Sequence, residues 1–156
     1  MEEAERRQAL IKGIHHVGLT VSDLERSLAF YERLLGRVRD FSTESEGPVL
    51  SKAVGVPDAH LHFGFITLGS VHLELLEYRN PRRERYELAN ADPGAPHVCF
   101  EVTDLGEVME ALIKDGIRFY SEPLDIDEGP LAGYSFVYFD DPDGITLELF
   151  ARRSEG

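Results

Sequence analysis

The sequence is poor in cysteine and contains no long apolar stretch. Cys99 is the only cysteine among 156 residues, so the chain cannot form an internal disulfide bond. No apolar run approaches the ~18–20 residues that a membrane-spanning helix requires, and the opening residues MEEAERRQALIKG lack the apolar segment of a secretory signal. We therefore expect a cytoplasmic protein without a membrane partner.

Positive charge is scarce as well. The chain has 16 Lys and Arg residues against 29 Asp and Glu residues, which gives a formal net charge of −13. Nucleic acid binding depends on a basic surface, so DNA and RNA are disfavoured as partners. Because 42% of the residues are hydrophobic, we expect a folded globular protein, either one compact domain or two fused small modules.

The chain contains an internal repeat. His-Val-Gly-Leu-Thr-Val-Ser-Asp-Leu at 16–24 aligns without a gap with His-Val-Cys-Phe-Glu-Val-Thr-Asp-Leu at 97–105. The two segments lie 81 residues apart, about half the chain. A match of this kind indicates a duplicated supersecondary unit.

Each copy predicts the same order of elements. Alternating apolar residues after His16 and His97 predict a strand, and a helix follows, capped by Ser22 with Glu25 in the first copy and by Thr103 in the second. Further strands are predicted in the first copy at Arg37–Phe41, Leu61–Leu68 and Val71–Tyr78, and in the second at Arg118–Ser121, Tyr134–Asp140 and Ile145–Ala151. Residues 42–60 and 122–133 are predicted loops, with short helices at 50–54 and 82–91.

The predicted fold class is therefore α+β, with two tandem βαβββ modules whose curved mixed sheets surround a site. The expected domain organisation is an N-terminal extension at 1–10, a first module at 11–80, a linker at 81–95 and a second module at 96–152.

Strand periodicity brings four chemically active residues to equivalent faces. In each strand the apolar residues share one parity, and the opposite parity carries His16, Glu74, His97 and Glu148. A carboxylate in an otherwise apolar strand is costly unless it is paired or bound to a metal. Two imidazoles and two carboxylates suit Zn, Fe, Mn, Co or Ni.

Neighbouring histidines are weaker candidates for this site. His15 has the parity of the helix-facing residues, so His16 is preferred as the ligand. His72 shares a face with Glu74 and is either a partner of the ligands or an exposed side chain.

Several motifs together resemble those of the vicinal oxygen chelate superfamily, which includes glyoxalases, methylmalonyl-CoA epimerases, extradiol dioxygenases and bleomycin-resistance proteins. The resemblance covers about residues 12–151 and is carried by HHVGLTVSDLERSLAFY at 15–31, LELL at 73–76, PHV at 96–98, DPDG at 141–144 and Glu148. It implies two modules that curve around one divalent metal of unknown identity. Its four ligand positions fall on His16, Glu74, His97 and Glu148.

The resemblance leaves three activities open. Four filled ligand positions favour a glyoxalase- or epimerase-like lyase or isomerase, in which Glu148 or Glu74 removes a proton next to a carbonyl of a small oxo or acyl substrate. Extradiol dioxygenases use Fe(II) with two His and one Glu, and Tyr138 lies where those enzymes carry an active-site Tyr. A protein that sequesters a drug is the third alternative. We further expect a small-molecule substrate and a homodimer.

A departure from the family pattern bears on the substrate. Glyoxalases that use glutathione tend to carry an Arg four residues after the first ligand, and Thr20 occupies that position here. Glutathione adducts are therefore expected to be poor substrates.

Overall fold

In the computed structural model, which describes residues 10–85, 87 and 89–153, the chain divides into two units, residues 1–84 and 85–156. The first contains β1 (His16–Thr20), α1 (Leu24–Leu35), β2 (Phe41–Glu46), α2 (Pro48–Val54), β3 (His60–Leu68) and β4 (Val71–Asn80). The second contains β5 (His97–Glu101), α3 (Leu105–Lys114), β6 (Leu124–Ile126), β7 (Tyr134–Asp140) and β8 (Thr146–Arg152).

Each unit is built on a mixed four-stranded sheet of the same topology. The strand orders are β1-β4-β3-β2 and β5-β8-β7-β6. In both sheets the first strand pairs in parallel with the last, and the other pairs are antiparallel. The predicted tandem βαβββ arrangement is thereby confirmed, and α2 confirms the short helix predicted at 50–54 in the first unit.

One face of each sheet is covered by a helix. In the first unit Leu24, Leu28 and Tyr31 of α1 are fully buried, and α1 packs on β3 and β4. In the second unit α3 buries Leu105, Met109 and Leu112 and contacts β8. Burial of these apolar faces is the main stabilising contribution, and it fixes which side chains of each strand point the other way.

Both helices begin one residue later than the sequence predicts. Asp23 caps α1 by accepting a hydrogen bond from the Arg26 amide, and Asp104 caps α3 by accepting one from the Glu107 amide, each at 2.9 Å. The predicted caps at Ser22 and Thr103 are therefore wrong. The aspartates are in extended conformation, which lets each carboxylate reach the amide three residues on.

Two edge strands also differ from the prediction. Residues 37–40 are not a strand, because Arg39 is held against α1 by Glu32 and Glu25. Instead, β2 begins at Phe41, the last residue of the predicted strand, and extends into the predicted loop 42–60. In the second unit Phe119 forms only an isolated bridge with Phe139, and β6 lies within the predicted loop 122–133. The polar composition of β2 is compatible with a strand because an edge strand is largely exposed.

The segment between the units is not helical in its described residues. Residues 82–85, 87 and 89–91 contain no helix, so the prediction of a short helix at 82–91 fails for that part. Arg82 instead approaches Glu77, with 3.6 Å between Nη2 and Oε1. The predicted N-terminal extension at 1–10 lies outside the described residues except for Leu10. Within the described chain, none of the helices combines the length and apolarity needed to cross a membrane.

Glu77 is a buried carboxylate with a structural role. Its Oε2 accepts a hydrogen bond of 3.0 Å from the backbone amide of Leu24, the first residue of α1, and the residue is 9% exposed. It lies on the helix-covered face of β4, where it joins the sheet to the start of α1.

Replacement of Glu77 by Ala should lower the free energy of unfolding by about 1–3 kcal/mol, because the buried Leu24 amide loses its acceptor. The matched control is Glu110→Ala, which removes an exposed carboxylate paired with Lys114 and should change the free energy of unfolding by less than about 0.5 kcal/mol. Denaturant titration followed by circular dichroism measures both. Equal effects of the two substitutions would contradict this role.

Candidate metal centre

The first unit brings His16 and Glu74 together. In the parallel pair of β1 and β4, Glu74 lies opposite Gly18, two residues along the strand from His16. His16 Nε2 is 3.4 Å from Glu74 Oε2. The pair lies on the sheet face opposite the buried Leu73 and Leu75, as the strand parity predicts.

The second unit repeats this arrangement with His97 and Glu148. Glu148 lies opposite Cys99 in the parallel pair of β5 and β8, and His97 Nε2 is 3.5 Å from Glu148 Oε2. Glu74 and Glu148 therefore occupy the same register position in the two copies.

The two side chains of each His–Glu pair differ in their exposure to solvent. The Glu74 and Glu148 side chains are 16% and 11% exposed, whereas those of His16 and His97 are 43% and 52% exposed. Each carboxylate is thus largely removed from water beside an imidazole that a ligand from solvent can reach. A desolvated carboxylate in this setting favours a positively charged partner.

His15 orients the ring of His16. The Nδ1 atoms of the two rings are 2.9 Å apart, which leaves His16 Nε2 directed at Glu74. The His15 ring also lies 4.9 Å from that of His72, and His72 Nδ1 is 2.9 Å from the Thr67 hydroxyl. A hydrogen bond to the ring nitrogen that does not face the metal fixes the orientation of metal-binding histidines. In the sequence, the adjacency of His15 to His16 is the only sign of this contact.

An aromatic ring lies beside each pair. The ring centroids of His16 and Phe65 are 5.7 Å apart, and those of His97 and Tyr138 are 5.8 Å apart, both edge to face. Phe65 is directly opposite Glu74 on β3, and Tyr138 is directly opposite Glu148 on β7. The two aromatic residues are therefore equivalent in the repeat.

Cys99 and Tyr138 lie directly opposite Glu148 on the neighbouring strands β5 and β7. Burial, followed by the charge of Glu148, raises the pKa of the Cys99 thiol to about 12. The same two causes raise the pKa of the Tyr138 hydroxyl above its ordinary value. Both groups are thus protonated at neutral pH, and Cys99 is not poised as a nucleophile.

The remaining histidines lie apart from these pairs. His60 pairs with Glu44 at 3.0 Å, and His62 Nδ1 is 2.9 Å from Arg79 Nη2. Each unit thus brings together one His and one Glu of the four predicted ligands. Among the described residues there is no cluster of three or more His, Cys, Asp or Glu side chains arranged to hold a metal.

The sequence pattern does not identify the cross-strand neighbours of the two carboxylates. Gly18 and Phe65 flank Glu74, and Cys99 flanks Glu148. Their positions depend on the register between strands. The one signal in the sequence is the alignment of the two copies, in which Gly18 corresponds to Cys99.

Comparison with known proteins agrees with this architecture. Residues 13–149 match the model of the glyoxalase/bleomycin resistance protein/dioxygenase superfamily. The chain is 33% identical to a 2-epi-5-epi-valiolone epimerase from Actinomyces sp. over 87% of this chain and 77% of the relative. It is 30% identical to the human mitochondrial methylmalonyl-CoA epimerase over 87% and 72%, respectively.

A solved structure shows the same fold. The crystal structure of a glyoxalase family protein from Bacillus cereus superposes with a TM-score of 0.79, at 21% identity over 92% of this chain and 96% of that one. The family model spans nearly the whole repeat and two epimerases share about a third of the sequence, so the chain belongs to the glyoxalase/bleomycin resistance protein/dioxygenase superfamily.

Proposed function

We propose that the protein is a metal-dependent isomerase or lyase of the glyoxalase and epimerase type, which removes a proton next to a carbonyl of a small oxo or acyl substrate. One divalent metal, Zn, Ni, Co, Mn or Fe, would be held by His16, Glu74, His97 and Glu148. Two modules supply these residues, either from one chain or from two chains of a homodimer. The observation that carries the proposal is the recurrence of one His–Glu pair at the same register position in both units.

The spacing within each pair fits shared coordination. The Nε2–Oε2 distances of 3.4 and 3.5 Å are longer than a good hydrogen bond. Two ligands on one ion, each at about 2.1 Å, lie about 3.0–3.4 Å apart for right-angled to tetrahedral geometry. The donor types fit as well, since imidazole with carboxylate suits divalent transition metals.

The residues of the site can perform proton transfer. A bound divalent metal supplies Lewis-acid stabilisation of the negative charge that develops on a substrate oxygen. Glu74 or Glu148 is the proton acceptor, because a carboxylate in hydrogen-bonding reach of a C–H next to a carbonyl is a competent general base. The protonated Cys99 supplies no base of its own.

The two epimerase relatives support this reaction class. Inversion of a stereocentre next to a carbonyl begins with removal of its proton, which is the step proposed for this chain. Thr20, in the position where glutathione-dependent glyoxalases tend to carry Arg, argues against glutathione adducts. We therefore favour 2-oxo, 2-acyl and CoA-linked acids as the substrates to test.

A ring-cleaving dioxygenase is the second candidate. The specific observation in its favour is the place of Tyr138, directly opposite Glu148 and with its ring centroid 5.8 Å from that of His97, because an active-site Tyr at this position is a feature of extradiol enzymes. That activity would need Fe(II) or Mn(II), would consume O₂ and would not require Glu74.

Titration of the chelator-treated protein with Zn(II) should show tight binding that depends on both pairs. His97→Ala and Glu148→Gln should each raise the Kd by at least about 100-fold, since loss of an outer hydrogen-bonding partner alone costs about 10–100-fold. His60→Ala is the matched control and should leave the Kd unchanged, because His60 pairs with Glu44. Tight binding that survives the combined Glu148→Ala and His97→Ala substitutions would refute the proposed ligand set.

Proton exchange distinguishes the two enzyme candidates. In D₂O the metal-loaded protein should exchange the α-proton of a 2-acyl or CoA-linked acid with Co(II), Ni(II), Mn(II) or Zn(II), because the step needs no redox metal. NMR loss of the α-proton signal measures the exchange, and Glu74→Gln should slow or abolish it. Oxygen uptake with a catechol, with no exchange of any acid, would overturn the isomerase in favour of the dioxygenase.

A further inference from the structure

Each sheet brings four side chains together on the face that the helix covers, at the end where the helix begins. In the first unit the strand register and the contacts of the arginine join Glu44, His62, Glu77 and Arg79. Because Glu74 and Glu148 occupy equivalent positions, counting along the same register assigns the corresponding residues of the second unit. They are Asp125, Ser135, Ala151 and Arg153, in the same order.

In the first unit the Glu77 carboxylate occupies the space at the start of α1. Its Oε2 accepts a hydrogen bond of 3.0 Å from the Leu24 amide, and its Oε1 lies 4.0 Å from Arg79 Nε. The start of a helix is the positive end of its dipole, and its first amides have no partners within the helix. These groups compensate the carboxylate for its removal from water.

The second unit keeps the surroundings of this carboxylate but lacks the carboxylate itself. Ala151, which is 4% exposed, stands where the first unit has Glu77, and Ser135 stands where it has His62. These two shorter side chains border a cavity of about 270 Å³ at the start of α3, which is also lined by Leu105 and Arg153. The replacement of an acid and an imidazole by small side chains thus leaves room beside the helix.

The backbone at this end of the sheet is the same in both units. The residue two before the N-cap donates a hydrogen bond of 2.8 Å to the last strand, from Val21 to Leu76 in one unit and from Val102 to Phe150 in the other. The residue that follows each acceptor, Ala151 in the second unit, is therefore placed in the same way relative to the start of the helix.

The start of α3 also has a donor without a partner. Among the described residues, none accepts a hydrogen bond from the amide of Leu105, the first residue of α3. Its counterpart in the first unit is the Leu24 amide, which donates to Glu77. Leu105 is only 8% exposed, and an unpaired amide in a buried residue is unfavourable. A ligand that supplies an acceptor in the cavity removes this cost.

The charged neighbours of the cavity correspond to those of Glu77. Arg153 corresponds to Arg79 and pairs with Asp125, with 3.3 Å between Nη1 and Oδ2. The N-cap Asp104 and Asp125 line the cavity as well, and the equivalent acids of the first unit are present beside Glu77. A carboxylate is thus compatible with both acids when the helix start and the arginine are also present.

We infer that the cavity at the start of α3 is a binding site for a small carboxylate, whose oxygens take the place that the Glu77 carboxylate has in the first unit. The Leu105 amide donates a hydrogen bond to this ligand, and Arg153 provides the neighbouring positive charge. Ala151 lies on the helix-covered face of β8, and Glu148 lies on the other face. The site is therefore separate from the proposed metal centre.

Propionate is the probe that tests this site, because it is the free counterpart of a glutamate side chain, and propionamide is a neutral control of the same shape. Two-dimensional NMR of the isotopically labelled full chain follows the amide signals of Leu105 and Leu24 in each titration. Propionate should shift the Leu105 signal saturably, with a Kd in the millimolar range for a ligand of so few atoms. The Leu24 signal should stay in place, because Glu77 already accepts from that amide. Propionamide should bind at least about 10-fold more weakly, because it lacks the charge.

Ala151→Glu reproduces in the second unit the carboxylate of the first. It should shift the Leu105 signal without any ligand, raise the unfolding midpoint and weaken propionate binding by at least about 10-fold, because its own carboxylate occupies the cavity. Ala151→Gln is the matched control of equal size without charge. It should also weaken propionate binding, but it should shift the Leu105 signal less and raise the unfolding midpoint less.

Glu77→Ala is the reciprocal substitution and opens the equivalent space in the first unit. The Leu24 signal should then respond to propionate. The unfolding midpoint, which this substitution lowers, should rise again as propionate is added and should rise less with propionamide, since a ligand that binds the folded state stabilises it.

Three results would overturn the carboxylate site. The first is a Leu105 signal that propionate does not shift in the folded wild-type chain. The second is an equal response of that signal to propionate and propionamide. The third is equal propionate binding by the wild-type chain and a folded Ala151→Glu variant. If Ala151→Glu does not fold, the comparison of the two probes on the wild-type chain decides the question by itself.

Discussion

The placement of one carboxylate among the apolar residues of a strand governs the organisation of each unit. Glu74 and Glu148 are largely removed from water, and burial of a charge is unfavourable without compensation. Each lies beside one imidazole at 3.4–3.5 Å, and we propose that a divalent metal completes the compensation. The proposed chemistry follows from this electrostatic demand, because a divalent metal satisfies it and simultaneously provides charge stabilisation for a substrate oxygen.

The repeat explains why a buried carboxylate beside a histidine occurs in both units. The same strand order and the same register bring the last strand of each sheet beside the first, so a His at the start of one and a Glu in the middle of the other must approach each other. The apolar residues of these strands pack under α1 and α3. The alternate residues of the same strands, which include the His and Glu side chains, therefore point to the other face of each sheet. The copies differ at the neighbours of the carboxylates, since Gly18 and Phe65 lie opposite Glu74 whereas Cys99 and Tyr138 lie opposite Glu148.

The sequence predicts these features to different extents for physical reasons. Strand periodicity and the gapless match at 16–24 and 97–105 suffice for the module architecture, since a buried face imposes a period of two. The helix caps were misplaced by one residue because serine, threonine and aspartate all cap helices and only backbone conformation distinguishes them. The edge strands β2 and β6 escaped detection because one is polar and the other has three residues. The cross-strand neighbours Phe65 and Cys99, and the buried cap Glu77, depend on register and packing that no local pattern encodes.

We propose that one divalent metal is held by two His and two Glu residues drawn from the two modules, and X-ray absorption spectroscopy of the Zn(II)-loaded protein tests this proposal most directly. The account predicts a first shell of nitrogen and oxygen atoms at about 2.0–2.2 Å, with the outer scattering of two imidazoles. It further predicts that one imidazole is lost in His16→Ala and one in His97→Ala. A sulfur atom in the first shell, or a spectrum that neither substitution changes, would contradict the account.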